Sequence, residues 1–208
     1  MDADDSKGTA RLGVLVSGRG SNLQALIDAV SDGRLNSRIA VVISNAAGVV
    51  ALDRAQRAGI PTAVVDHRGR SSRDDFDRAL VAELQKHQVS LVCLAGFMRR
   101  LGRPVLHAFP DAVLNIHPSL LPSFPGLHPQ RQALDHGAKL SGVTVHLVTE
   151  ELDAGPILLQ RSVPVLDDDT EDSLAARILA EEHVAYPAAV EMMIAGGWRI
   201  DGRRFRRL

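Results

Sequence analysis

The chain has 208 residues, 45% of them hydrophobic, enough for one domain with a sizeable core or a domain with a small appendage. Its 24 basic and 25 acidic side chains leave a net charge of −1, which excludes the strong field expected of a nucleic-acid or membrane binder. A single cysteine excludes an intrachain disulfide, and no apolar run has the length of a membrane span or the pattern of a signal peptide, so a soluble cytoplasmic protein is expected.

Residues 1–10 read as a polar, disordered tail. From there strand and helix patterns alternate. Residues 12–16 form an apolar strand, and 21–29 open a helix with Ser21 or Asn22 as its cap. A strand at 39–43 leads to a helix at 50–58, closed by Gly59 and followed by Pro61. A short strand at 62–65 precedes a helix at 73–87, with Phe76, Ala79, Leu80 and Leu84 at helical spacing. Residues 91–95 are a strand that buries Cys93 as a small hydrophobe. A short helix begins at 104–107, and a further strand occupies 112–116. This βαβα order predicts the α/β class: a mostly parallel twisted sheet with helices on both faces, Rossmann-like.

After residue 117 the pattern changes. Pro118, Pro122, Pro125 and Pro129 make 118–127 an irregular loop, and 130–136 a helix. Strands at 142–148 and 157–163 have no long helix between them, so the C-terminal part is expected to be antiparallel. The last helix runs over 171–195 with Pro187 inside it, which is expected to kink or interrupt it. Residues 201–208 read as a frayed basic tail. No repeat or linker is visible, so 11–200 are read as a single domain.

Three loops follow strand ends, where ligands bind in open α/β sheets. Asn115-Ile116-His117-Pro118-Ser119-Leu120-Leu121-Pro122 places an amide and an imidazole two residues apart, on one face of a strand end. An amide that holds an oxyanion and a ring that moves a proton suggest acyl-group chemistry. Asp153, in Glu150-Glu151-Leu152-Asp153-Ala154-Gly155-Pro156, offers a carboxylate in a turn, although that composition is also ordinary turn chemistry.

The loop Ser17-Gly18-Arg19-Gly20-Ser21-Asn22 enters a helix and is neither a dinucleotide fingerprint nor a Walker loop, so it fits a single phosphate monoester or a plain tight turn. In Gly96-Phe97-Met98-Arg99-Arg100-Leu101 the glycine fits the approach of a flat ligand, with Phe97, Met98 and Leu101 as apolar walls, or equally a strand end packing into a short helix. Arg73 could reach a carboxylate, though a solvated surface role is its default. His128 and His146 are candidate catalytic groups that read first as supporting or packing residues. No spacing suggests a metal site.

Ser17-Gly18-Arg19-Gly20-Ser21-Asn22-Leu23-Gln24, Leu94-Ala95-Gly96-Phe97-Met98-Arg99, the Asn115–Pro122 run, Pro125-Gly126-Leu127-His128 and Leu152-Asp153-Ala154-Gly155-Pro156 stand in that order. Together, over 11–200, they resemble the phosphoribosylglycinamide formyltransferases, also called glycinamide ribonucleotide transformylases, of purine biosynthesis. The resemblance implies formyl transfer from 10-formyltetrahydrofolate to the amine of glycinamide ribonucleotide. It implies Asn115, His117 and Asp153 as the catalytic trio, Gly20, Ser21 and Asn22 on the substrate phosphate, and Glu182 on the ribose. It places Arg73, Met98, Arg99, Arg100, Leu101, Asn115, Thr149, Glu150, Glu151, Leu152 and Asp153 against the folate. No metal, nucleic acid or membrane is implied, and the protein would be a monomer or homodimer. The chain departs from the pattern at Arg19, where relatives are usually small or polar, and at Ala154, commonly Gly. Any contact from Leu179, in the apolar stretch before Glu182, would be through backbone.

Methionyl-tRNA formyltransferase shares the Asn-x-His core but needs an RNA-binding domain and a basic surface, which a chain ending at Leu208 with a charge of −1 is not expected to supply. Formyltetrahydrofolate deformylase usually carries an N-terminal regulatory domain and His-His where this chain has His117-Pro118. A non-catalytic nucleotide-binding module would leave Asn115, His117 and Asp153 unexplained.

Overall fold

The computed structural model describes residues 9–208, so most of the expected 1–10 tail lies outside the described residues, and Ala10 already belongs to a strand. The chain divides into two compact units, one ending at Ala112 and the other Val113–Leu208.

The first unit runs β1 Ala10–Val16, α1 Ser21–Ser31, β2 Ser37–Ser44, α2 Val50–Arg57, β3 Thr62–Val64, α3 Arg73–Lys86, β4 Leu91–Leu94 and α4 Arg103–Ala108. Its strands lie in the order β3-β2-β1-β4, every pair parallel. β1, β2 and β4 are almost wholly buried, which is why they read as continuous apolar runs and not as alternation. α3 shows how local chemistry sets an element. Ser72 Oγ caps the Asp75 N–H at 3.1 Å, Asp74 and Asp75 face the positive helix end, and Phe76, Leu80 and Leu84 enter the core. Each such large apolar side chain contributes about 1.5–3 kcal/mol of burial. The chain winds outward from β1 through β2 to β3, then returns to the other side of β1 as β4. The gap between the carboxyl ends of β1 and β4 is therefore a topological switch point.

The second unit runs β5 Val113–His117, α5 Pro129–Asp135, β6 Leu140–Leu147, β7 Ile157–Pro164, α6 Glu171–Ile194, β8 Trp198–Asp201 and β9 Arg204–Arg207. The strand order is β5-β6-β7-β9-β8, and β5/β6 and β6/β7 are antiparallel as expected. Two expectations are revised here. Of the kink or interruption expected at Pro187, the interruption does not occur: α6 is continuous from its Thr170/Ser173 capping box to Ile194. A proline inside a helix costs about 3 kcal/mol, but Ala185, Tyr186, Ala189 and Val190 around it are fully buried, and their packing outweighs the lost bond. Residues 201–208 are not a frayed tail either. β8 and β9 pair antiparallel around Gly202, β9 meets β7 through Ile157 and Arg204, and Trp198 stacks on Phe205 at 5.5 Å. Among the described residues no helix is long and apolar enough to cross a membrane.

Candidate active site

In the first unit, the turns after β1 and β4 together line a cleft of about 250 Å³ at the switch point, formed by residues 17–22, Ala95, Gly96 and Met98. Neither Ser21 nor Asn22 caps α1. The cap is Gly20, left-handed at φ 70°, with no side-chain bond to the first turn and no acidic residue in it. A Cβ at Gly20 would lie 2.6 Å from Ala51 Cβ and 2.9 Å from Ala51 Cα, so glycine is required by both conformation and space. α2 braces the loop: the Ala51 N–H donates to the Gly18 carbonyl at 3.0 Å, and Arg54 Nε to the Arg19 carbonyl at 2.9 Å. The result is an uncapped helix start whose residues line the cleft, an arrangement that accepts an anion. The exposed Arg19 adds positive charge to that lining.

Ser17 Oγ ties the two turns together, accepting from the Met98 N–H at 2.8 Å and donating to Asn45 Oδ1 at 2.6 Å. Of the three apolar residues expected to wall the second turn, only Met98 is open, at 69% exposure. Phe97 and Leu101 are buried, and Phe97 stacks on Phe76 at 6.5 Å. Arg73, Arg99 and Arg100 are exposed in this unit.

In the second unit, β5 pairs with β6 so that Asn115 faces His146 and His117 faces Thr144. His146 Nδ1 lies 2.9 Å from the Leu147 carbonyl, which can only accept, so that nitrogen carries the proton. Nε2 is then an acceptor, and Asn115 Nδ2 donates to it at 3.2 Å. Burial pushes the His146 pKa down, against the Leu147 bond and the Asp153 charge, which keeps the ring neutral. His146 therefore fixes which end of the Asn115 amide is the donor end and leaves its second N–H available. The 3.8 Å approach of His146 Nε2 to Asp153 Oδ1 is proximity and not an ion pair.

His117 is buried, with Nε2 donating to the Phe124 carbonyl at 2.9 Å and Nδ1 lying 3.5 Å from Asp153 Oδ2. The same carboxylate oxygen accepts the Gly126 N–H at 2.8 Å. Thr144 holds the intervening loop: its hydroxyl donates to the Ser119 carbonyl at 2.7 Å and accepts the Leu121 N–H at 3.0 Å. Asp153 sits at φ 49° in a turn closed by Gly155, where a Cβ would fall 1.8 Å from the Leu147 carbonyl oxygen. Asn115, His117 and Asp153 are thus brought together, and His146, read from sequence as a supporting or packing residue, bonds directly to one of them. Thr149, Glu150, Glu151 and Leu152 form the exposed approach to Asp153. Glu182 is buried on α6, and His128 is exposed, 3.8 Å from Glu171.

An oriented amide donor, a buried imidazole and a braced carboxylate beside an antiparallel strand pair, in a chain whose other unit carries a cleft at a helix start, fit a class: a group-transfer enzyme acting on a carbonyl carbon. Comparison with known proteins gives the class its family. The formyl transferase family model matches residues 10–190, and the chain belongs to that family. It is 44% identical over 190 residues to the phosphoribosylglycinamide formyltransferase of Escherichia coli, covering 91% of this chain and 87% of that protein. It is 50% identical over 188 residues to the trifunctional purine biosynthetic protein adenosine-3 of Drosophila melanogaster, covering 89% of this chain but 14% of that much longer protein. The crystal structure of glycinamide ribonucleotide transformylase 1 from Symbiobacterium toebii superposes with a TM-score of 0.96 at 53% identity, covering 98% of this chain and 96% of that one.

Proposed function

We propose that this chain transfers the formyl group of 10-formyltetrahydrofolate to the amine of glycinamide ribonucleotide, with 11–200 acting as one formyltransferase domain. The observation that carries the reading is the Asn115–His117–Asp153 geometry, in a chain 44% identical to a phosphoribosylglycinamide formyltransferase over 91% of its length. The acceptor amine attacks the formyl carbon, a tetrahedral oxyanion forms, and the bond to folate N10 breaks. The amine loses one proton and N10 gains one.

The free Asn115 N–H is the first donor to that oxyanion, a contact of a kind whose removal costs about 100- to 1,000-fold in kcat. Of the two His117 nitrogens, Nδ1 has the longer and weaker engagement, so it is the one left to donate to the reacting oxygen while Nε2 stays on the Phe124 carbonyl. Asp153 supports the charged ring and carries the amine proton onward through water to the departing nitrogen. Gly20, Ser21 and Asn22 hold the substrate phosphate, assisted by Arg19, and Glu182 holds the ribose. Arg73, Met98, Arg99, Arg100, Leu101, Asn115 and 149–153 contact the folate. Leu101, being buried, does so through its backbone.

We further propose a cytoplasmic enzyme, monomer or homodimer, acting on small molecules and not on nucleic acid. A turnover assay with 10-formyltetrahydrofolate tests the whole reading against its rivals. Formylated glycinamide ribonucleotide is the expected product. Hydrolysis of the donor at the same rate without acceptor would make the chain a deformylase, and formylation of methionyl-tRNA alone would make it the tRNA enzyme.

A further inference from the structure

Asp77 on α3 is fully buried, at 0% exposure, and belongs to neither constellation described above. Its Oδ2 accepts the Gly102 N–H at 2.7 Å. Its other oxygen is buried without a hydrogen-bond partner among the described residues. A Cβ on Gly102 would lie 2.8 Å from Asp77 Oδ2 and 2.9 and 3.2 Å from Nη2 and Nε of Arg73. The space that a side chain at Gly102 would need is thus filled by a carboxylate and a guanidinium carried one helical turn apart on α3.

The turn 97–102 is therefore held at both ends: by Ser17 Oγ on the Met98 N–H at 2.8 Å, and by Asp77 on the Gly102 N–H at 2.7 Å. Between the two pins lie the exposed Arg99 and Arg100. A half-satisfied carboxylate in a core is expensive, and an apolar residue of similar volume would suit α3 better if packing were its only task. Burial pushes the carboxyl up, while the Gly102 N–H, Arg73 and Arg99 act against that and favour the charged form.

We propose that Asp77 is a positioning residue: its carboxylate pins the turn 97–102 and steadies the Arg73 guanidinium beside it, setting the shape and charge of the surface that receives the folate donor. The proposal rests on the donor reading given above. It is tested in the full chain with Asp77→Ala and Asp77→Asn, by hydrogen exchange over 97–102 and by separate KM values for 10-formyltetrahydrofolate and glycinamide ribonucleotide. Asp77→Ala should lose exchange protection over 97–102 and raise the donor KM about tenfold, the scale of one lost charge-assisted hydrogen bond, with the acceptor KM unmoved. Asp77→Asn has the same shape and keeps an oxygen for the Gly102 N–H, so it should restore the protection. It should still raise the donor KM a few-fold, because Arg73 has lost its opposing charge, and this variant carries the test if Asp77→Ala fails to fold. A donor KM unchanged in both folded variants overturns the proposal, as does an equal rise in both KM values. If the wild-type chain transfers nothing from this donor, the donor reading itself falls and takes the proposal with it, an outcome distinct from an active enzyme with an indifferent Asp77.

Discussion

In the first unit the cleft is made largely of backbone: an uncapped helix start, a left-handed glycine and two carbonyls braced by α2. In the second unit the site is made of side chains, each held by another: Asn115 by His146, His117 by Phe124 and Asp153, Asp153 by Gly126. Backbone amides bind an anion whatever residues carry them, so such a site tolerates changes of side chain and fails when a Cβ intrudes. A site of interlocked side chains fails when one chemical group is lost, even with its backbone intact.

The largest expected effect breaks the second kind of site. His117→Ala and Asp153→Ala should each lower kcat by roughly 100- to 10,000-fold, the range of a lost general acid–base group. The double mutant should be far less than multiplicatively worse, because the carboxylate works through the ring. Steady-state kinetics of the three variants decide it, and fully multiplicative losses would show that the two groups act independently. Asn115→Ala should fall at about 100- to 1,000-fold in kcat with little change in either KM.

A smaller effect sharpens the contrast from the side of the backbone. Gly18 has open space around its absent Cβ, whereas Gly20 has Ala51 within 2.6 Å and φ 70°. Gly18→Ala should keep the fold and raise the acceptor KM about tenfold by crowding the phosphate, one pin's worth of affinity. Gly20→Ala should instead cost about 1–3 kcal/mol in chemical denaturation, from strain and overpacking. If Gly20→Ala were as stable as the wild type while Gly18→Ala unfolded, the bracing by α2 has been misjudged.

The parts legible in the sequence follow the same division. Buried parallel strands announce themselves as apolar runs, and the loops after them are found by their position. Asn115, His117 and Asp153 stood out as an amide, an imidazole and a carboxylate in loops, but their types alone allowed plain structural roles, and only the resemblance of five ordered motifs grouped them as a trio. The bond between Asn115 and His146 was not visible, since it depends on the register that sets His146 opposite Asn115, which no local pattern states. Nothing in the sequence singled out Asp77, whose burial is set by the face of α3 that packs inward. The β8–β9 hairpin did carry a signal: Trp198, Ile200 and Phe205 alternate with polar residues around Gly202-Arg203, a two-residue loop with glycine first, but the density of arginines suggested a solvated tail.

The smallest effect concerns the neutral state of His146, on which the orientation of Asn115 depends. Burial lowers the pKa of this ring from its ordinary 6.5. Below that value the unfolded chain takes up a proton that the folded ring refuses, so the unfolded state binds more protons and stability falls as pH drops. The contribution is complete above about pH 6.5 and is lost progressively toward the lower native value, at no more than about 1.4 kcal/mol per pH unit. Urea midpoints of the wild type and of His146→Gln, compared from neutral to mildly acidic pH, isolate it, because glutamine removes this titration. The wild type should lose the more stability on acidification. Equal slopes would mean that the folded ring accepts its proton. Nε2 would then be a donor, the Asn115 amide would have to turn its oxygen toward it, and the amide nitrogen would no longer be held by His146.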